Sequence, residues 1–137
     1  MDINSIYIRM KATQNPDKSV NCKWDFSDAF YYDINGENEQ ILTQKELSQK
    51  AIYAPDSENP LFIIFPKKIK FEYEGNESEE YKTQNVYFTI GELLETVRLF
   101  TEKRYNEKYT DQEYDFEDLY FTGIKGFCGL FSIEWEE

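Results

Sequence analysis

Apolar and polar residues alternate along most of the chain with a period of two. Ile6, Ile8 and Met10 alternate with Tyr7, Arg9 and Lys11, and Val20, Cys22, Trp24 and Phe26 alternate with Asn21, Lys23 and Asp25. Phe30, Tyr32 and Ile34 follow. Later come Ile69, Phe71 and Tyr73 between Lys70, Glu72 and Glu74, and Phe131, Ile133 and Trp135 between Ser132, Glu134 and Glu136. Side chains of a strand point to opposite faces in turn, so this pattern predicts strands with one buried and one wet face. One-sided burial in turn predicts a largely antiparallel sheet. Turn signals divide the runs: Asn15-Pro16-Asp17, Asn35-Gly36 and Gly75-Asn76. Pro66 interrupts Leu61–Phe71 and predicts an edge or bend there.

Two segments switch to helical spacing, and both begin with a capping box, a Thr followed three residues later by Glu. One starts at Thr43, with Glu46 at the third position and Leu42 placed to staple onto Leu47. The other starts at Thr89, with Glu92 at the third position and Phe88 placed to staple onto Leu93. The second carries an apolar stripe of Ile90, Leu93, Leu94, Val97 and Phe100 and is expected to run to about Asn106. Its other face carries Glu95, Arg98, Glu102 and Lys103. The expected architecture is α+β: one domain over residues 1–137, a largely antiparallel sheet of about six to eight strands and two helices, the longer packed on one sheet face.

Composition narrows the class. The chain has 137 residues, within the usual size of a single domain, and 22 of them are Tyr or Phe. Aromatic side chains spread along the whole length argue for a folded core rather than disorder. The start, Met1-Asp2-Ile3-Asn4-Ser5, has no basic and apolar leader, and the densest apolar run, Leu61–Phe65, is far too short to span a bilayer. A cytoplasmic, reducing location is the expectation, with Cys22 and Cys128 as small buried hydrophobes. A disulfide between them is open.

The net charge of −12 and the absence of histidine decide which chemistry is in play. Nucleic-acid affinity comes largely from Lys and Arg displacing counterions, so direct nucleic-acid binding is not expected, and anionic membranes are disfavoured for the same reason. Without histidine there is no Ser-His or Cys-His pair and no His-metal site. No cofactor or metal is implied. The EF-hand loop fails, because its sixth and twelfth positions fall on Asn38 and Gln44 counted from Asp33, or on Phe116 and Thr122 from Asp111. Pro55-Asp56 with Glu80-Tyr81-Lys82 matches a metal-nuclease pattern without the strand context that pattern needs. Gly123-Ile124-Lys125-Gly126 matches the G-x-x-G loop of RNA-binding KH domains, but its flanks read as strands, so a glycine-rich hairpin connection is expected.

The most distinctive stretch runs from Asp111 to Asp118. In extended form Asp111, Glu113, Asp115 and Glu117 share one face at a spacing of about 6.6 Å, with Tyr114 and Phe116 on the other. Such a stripe either meets a basic partner or is a solvated face held by two aromatics. Tyr7, Tyr31, Tyr87, Tyr105 and Tyr109 lie off the apolar faces, and exposed Tyr is enriched at interfaces.

The segment Tyr87-Phe88-Thr89-Ile90-Gly91-Glu92-Leu93-Leu94-Glu95, followed by Asp118–Ile124 and a closing Ile133-Glu134-Trp135, resembles the C-terminal half of small uncharacterised proteins of large amoeba-infecting DNA viruses. The likeness lies in a helix followed by a hairpin. It implies a viral origin and no known activity.

The reading that follows is a non-enzymatic interaction protein, immunity- or inhibitor-like. It would bind a basic protein partner through Asp111, Glu113, Tyr114, Asp115 and Glu117. Three other classes stay open: a DNA-mimic inhibitor of a nucleic-acid-binding protein, a viral structural or assembly component, and a carboxylate- and metal-dependent enzyme.

Overall fold

The computed structural model describes residues 2–3, 6–32, 39–40, 44–49, 54–55, 63–64, 67–127 and 130–136. The elements run in chain order as β1 (Asp2–Ile3), β2 (Ile6–Gln14), β3 (Val20–Tyr32), β4 (Glu39–Gln40), α1 (Gln44–Gln49), β5 (Ala54–Pro55) and β6 (Ile63–Ile64). They continue as β7 (Lys68–Tyr73), β8 (Asn76–Glu77), β9 (Tyr81–Lys82), α2 (Ile90–Lys108), β10 (Leu119–Phe127) and β11 (Leu130–Glu136). The main sheet has the order β4-β3-β2-β10-β11-β7-β8, with β1 beside β10 and β9 beside β7; β5 and β6 form a separate pair.

The α+β class expected from the pattern holds. The finer expectations are matched only roughly. The sheet is mixed, because β7 joins β11 in parallel, with Leu130 opposite Lys70 and Phe131 opposite Phe71. Of the two helices, α2 is long, and α1 comprises six residues. Thr43, Leu42, Pro66, Gly36 and Cys128 lie outside the described residues.

The two-residue period places the core. Ile6, Ile8 and Met10 on β2, Ile69 and Phe71 on β7, and Phe121 and Phe131 on β10 and β11 are all buried. The stripe of α2, Ile90, Leu93, Leu94, Val97 and Phe100, is buried against them. The helix begins as its sequence predicts: the Glu92 N–H donates to the Thr89 hydroxyl at 3.2 Å, and the Glu92 carboxylate accepts from the Thr89 N–H at 3.2 Å. Phe88 and Leu93 are both buried in this core, as a staple requires.

Strand β3 departs from strict alternation. Its pairing with β2 steps from Arg9–Asp25 to Tyr7–Phe30, so β3 carries extra residues at Phe26–Ala29. The Asp25 carboxylate accepts from the Ser27 N–H at 3.0 Å and from its hydroxyl at 2.7 Å, which shapes this bulge. Those bonds hold Asp25 below the usual carboxylate range. The bulge shifts the parity, and Ala29 is buried where the alternation of Val20–Phe26 would turn it outward.

The glycine pair of β10 is also placed differently from expectation. Gly123 and Gly126 lie within the strand rather than in the hairpin connection. Gly123 has φ 147° at a register shift against β11. At Gly126 a Cβ would come within 2.1 Å of the Leu130 carbonyl oxygen, so only glycine lets the strands approach.

Helix α2 is tied to the sheet by polar side chains as well as by its stripe. The Val20 N–H donates to Asn106 Oδ1 at 2.7 Å, and Asn106 Nδ2 donates to the Val20 carbonyl at 2.9 Å. The Cys22 N–H donates to the Glu102 carboxylate at 2.9 Å. Trp24 Nε1 donates to the Leu94 carbonyl at 2.9 Å. Glu102 is therefore half-buried and engaged, a correction to its expected place on a solvated face. It also accepts from Arg98 at 3.1 Å. Cys22 is a buried free thiol; burial first and the Glu102 carboxylate second push it up to about 12.

Two outcomes follow. Replacing Asn106 by Leu strips both Val20 backbone groups of their partner and should cost about 1–3 kcal/mol in urea unfolding. A loss near zero would mean that water replaces the amide. Between pH 9 and about 12 the unfolded chain loses the Cys22 proton before the folded chain does. The contribution of Cys22 to stability is therefore complete below pH 9 and falls as pH rises through that window. Cys22→Val should show a shallower alkaline decline than the parent in urea melts across the window, and equal slopes would contradict the assignment.

Candidate functional site

The acidic segment leaves α2 at its C-terminal end, where the Tyr109 N–H caps the helix on the Tyr105 carbonyl at 2.8 Å. From there it returns along the β2–β3 hairpin. It is not a strand, since residues 109–118 pair with no neighbour. The expected alternation nevertheless appears in the exposure. Asp111, Glu113, Asp115 and Glu117 are exposed, whereas Tyr114, Phe116 and Asp118 are half-buried.

Three sets of contacts hold this backbone. First, the Gln14 side chain at the end of β2 works as a clasp. Its Oε1 accepts from the Tyr114 N–H at 2.9 Å. Its Nε2 donates to the carbonyls of Tyr109 at 2.9 Å and of Gln112 and Lys18 at 3.0 Å. Second, an aromatic cluster joins the segment to the helix. Phe116 stacks on Tyr105 with centroids 5.1 Å apart, and Tyr109 meets Tyr114 edge-on at 4.6 Å and Phe116 at 5.5 Å. Phe116 and Tyr105 also pack on the small core of Met10, Val20 and Cys22. Third, Asp118 closes the segment by pairing with Arg9, whose Nε donates to it at 2.8 Å. That pair raises the Arg9 guanidinium above its ordinary range.

The predicted residues therefore separate into two roles. Asp111, Glu113, Asp115 and Glu117 point away from the protein, and among the described residues none forms an ion pair. Lys18 reaches the Asp111 backbone carbonyl, at 3.4 Å, rather than its carboxylate. Tyr114 is a support rather than an exposed contact, and its hydroxyl accepts from Gln112 at 2.6 Å. Gln14 was not legible as part of the site, because a lone Gln at a strand end carries no signal. Arg9 was masked in the same way by its place in an alternating strand.

The other tyrosines divide similarly. Tyr7 stacks on Tyr120 at 4.7 Å, and Tyr105 and Tyr109 belong to the cluster. Tyr87 is exposed. The Tyr31 side chain lies outside the described residues. Of the nuclease-like set, Asp56 also lies outside them, and Glu80 pairs with Lys82 at 3.8 Å on the surface. Among the described residues, no three acids or thiols gather closely enough to hold a metal ion. No described helix is long and apolar enough to cross a membrane.

No protein-family model, curated protein or solved structure matches the chain. Helix α2 is followed in the chain by the paired strands β10 and β11, and a topology by itself supplies no activity.

Replacing Gln14 by Ala should release the segment without unfolding the protein. Amide exchange of residues 110–117 is expected to quicken by about tenfold, the effect of losing one or two net hydrogen bonds. Exchange in β2 and β10 should stay unchanged. Equal protection throughout would show that the aromatic cluster alone fixes the backbone.

Proposed function

We propose that the protein is a non-enzymatic interaction module of the immunity or inhibitor kind, which binds a basic protein partner through the ledge from Asp111 to Glu117. The supporting observation is that four exposed carboxylates, with no ion-pair partner among the described residues, sit on a backbone fixed by Gln14, by Phe116 and Tyr109, and by Asp118. A flexible acidic loop would have to be ordered on binding, at a cost in conformational entropy. This one presents its charges already in place. The net charge of −12 draws a cationic partner at long range and sets the encounter rate, and the ledge supplies the local contacts. The same charge argues against nucleic acid as the direct ligand.

The test is capture of the tagged protein from its native lysate, with elution by stepped salt, repeated with the double variant Glu113→Lys, Asp115→Lys. A stoichiometric basic protein released at moderate salt is expected. The variant should bind it about tenfold more weakly or worse, and with a flatter salt dependence. Equal retention by parent and variant would sink the assignment. Displacement of the partner by duplex DNA would redirect the reading to a mimic of nucleic acid.

A further inference from the structure

A groove of about 400 Å³ lies along the C-terminal half of α2, where the helix passes β7 and β11. That is the size of a small-molecule site. Its walls are aromatic: Tyr73, Phe100, Tyr105, Tyr109 and Trp135 line it, with Ile133 and Leu119 beside them. Its cations are Arg104 and Lys108, one turn apart on the helix, against one acid, Glu72. An adjoining groove of about 490 Å³ shares Arg104 and Lys108 and adds Lys103, but these are outnumbered by Glu74, Glu77, Glu79 and Glu107. An anion is therefore favoured only on the first side.

Arg104 is held for use. Its guanidinium carbon lies 3.2 Å over the Tyr73 ring and 5.5 Å from the Phe100 centroid. Among the described residues no carboxylate is within ion-pair distance of Arg104 or Lys108. Stacking fixes the guanidinium and leaves its N–H groups for a planar or tetrahedral anion. Cations near a helix C-terminus also offset the helix dipole, which explains their charge but not the next feature.

Thr101 lines the same groove. It is 3% exposed, and its hydroxyl has no hydrogen-bond partner among the described residues. A threonine inside a helix normally donates to a carbonyl one turn back, as Thr96 does to Leu93 at 2.8 Å. Burying a hydroxyl unpaired is costly, but this one lies behind the groove wall, out of a ligand's reach, so it bears on stability alone.

We propose that this groove binds a small aromatic anion. Its ring lies among the aromatic walls, and its phosphate or carboxylate is held by Arg104 with Lys108. The site is separate from the acidic ledge and does not depend on that ledge's role.

The test is titration of the isotope-labelled full chain with 1-naphthyl phosphate, followed by amide NMR. Saturable shifts are expected at Tyr73, Phe100–Tyr109 and Ser132–Trp135, with a Kd of about 1 mM or tighter, the level that per-atom binding efficiency sets for a ligand of this size. Either 1-naphthol or inorganic phosphate alone should bind about tenfold more weakly. Arg104→Gln should weaken 1-naphthyl phosphate by about tenfold or more. Thr101→Val should raise the Tm of the free protein, by removing the unpaired hydroxyl, and leave the affinity for 1-naphthyl phosphate unchanged. No saturable shifts, shifts centred elsewhere, or full affinity in Arg104→Gln would overturn the proposal.

Discussion

The structure depends on how the outer edge of β3 is satisfied. A strand edge presents backbone donors and acceptors that must find partners if they are buried. Along Val20–Trp24 that partner is a helix. Asn106 takes both the N–H and the carbonyl of Val20, Glu102 takes the Cys22 N–H, and Trp24 reaches back to the Leu94 carbonyl. These bonds fix both the height and the rotation of α2 over the sheet. Its apolar stripe then falls on Ile8, Phe71 and Phe121, and its last turn arrives where the acidic segment must begin.

That arrival determines the character of the C-terminal end of the helix. On one flank Tyr105 and Tyr109 receive Phe116 and Tyr114, and the acidic ledge is built on this aromatic platform. On the other, Phe100, Thr101 and Arg104 face Tyr73 and Trp135 across a groove. The C-terminal end of one helix thus supports two surfaces of opposite sign. Tyr109 touches both, since it packs on Tyr114 and lines the groove.

Much of this was legible from local pattern. The capping box at Thr89, the stripe of α2, the alternation of β2 and the turn after Asn15 are short-range signals, and short-range chemistry decides them. The acidic side chains were readable as outward-facing because Tyr114 and Phe116 sit between them. What escaped was set by distant partners. Glu102 and Asn106 look like solvated helix positions until β3 is laid beside them. The bulge at Phe26–Ala29 shifts the parity of β3 through one carboxylate, Asp25, that resembles any other surface acid. The parallel pairing of β7 with β11 has no signature in either strand, because an apolar alternation serves both directions equally. The stacking of Arg104 on Tyr73 is likewise a product of the fold.

The strand order has a consequence for how the chain is assembled. The centre of the sheet is formed by β10 and β11, the last two strands in the sequence, while β2 and β3 on one side and β7 on the other precede them. The β2–β3 hairpin closes locally and can form as soon as it is synthesised. Among the described residues β7 has no strand to lie against except β8 and β9 until β11 emerges, and loop closure must be met before that parallel contact gives anything back. On the ribosome the two flanks wait for the middle. During that interval Ile69 and Phe71 lack the Phe131 side of their core, so the strands that follow both flanks in the chain are the ones that join the two halves.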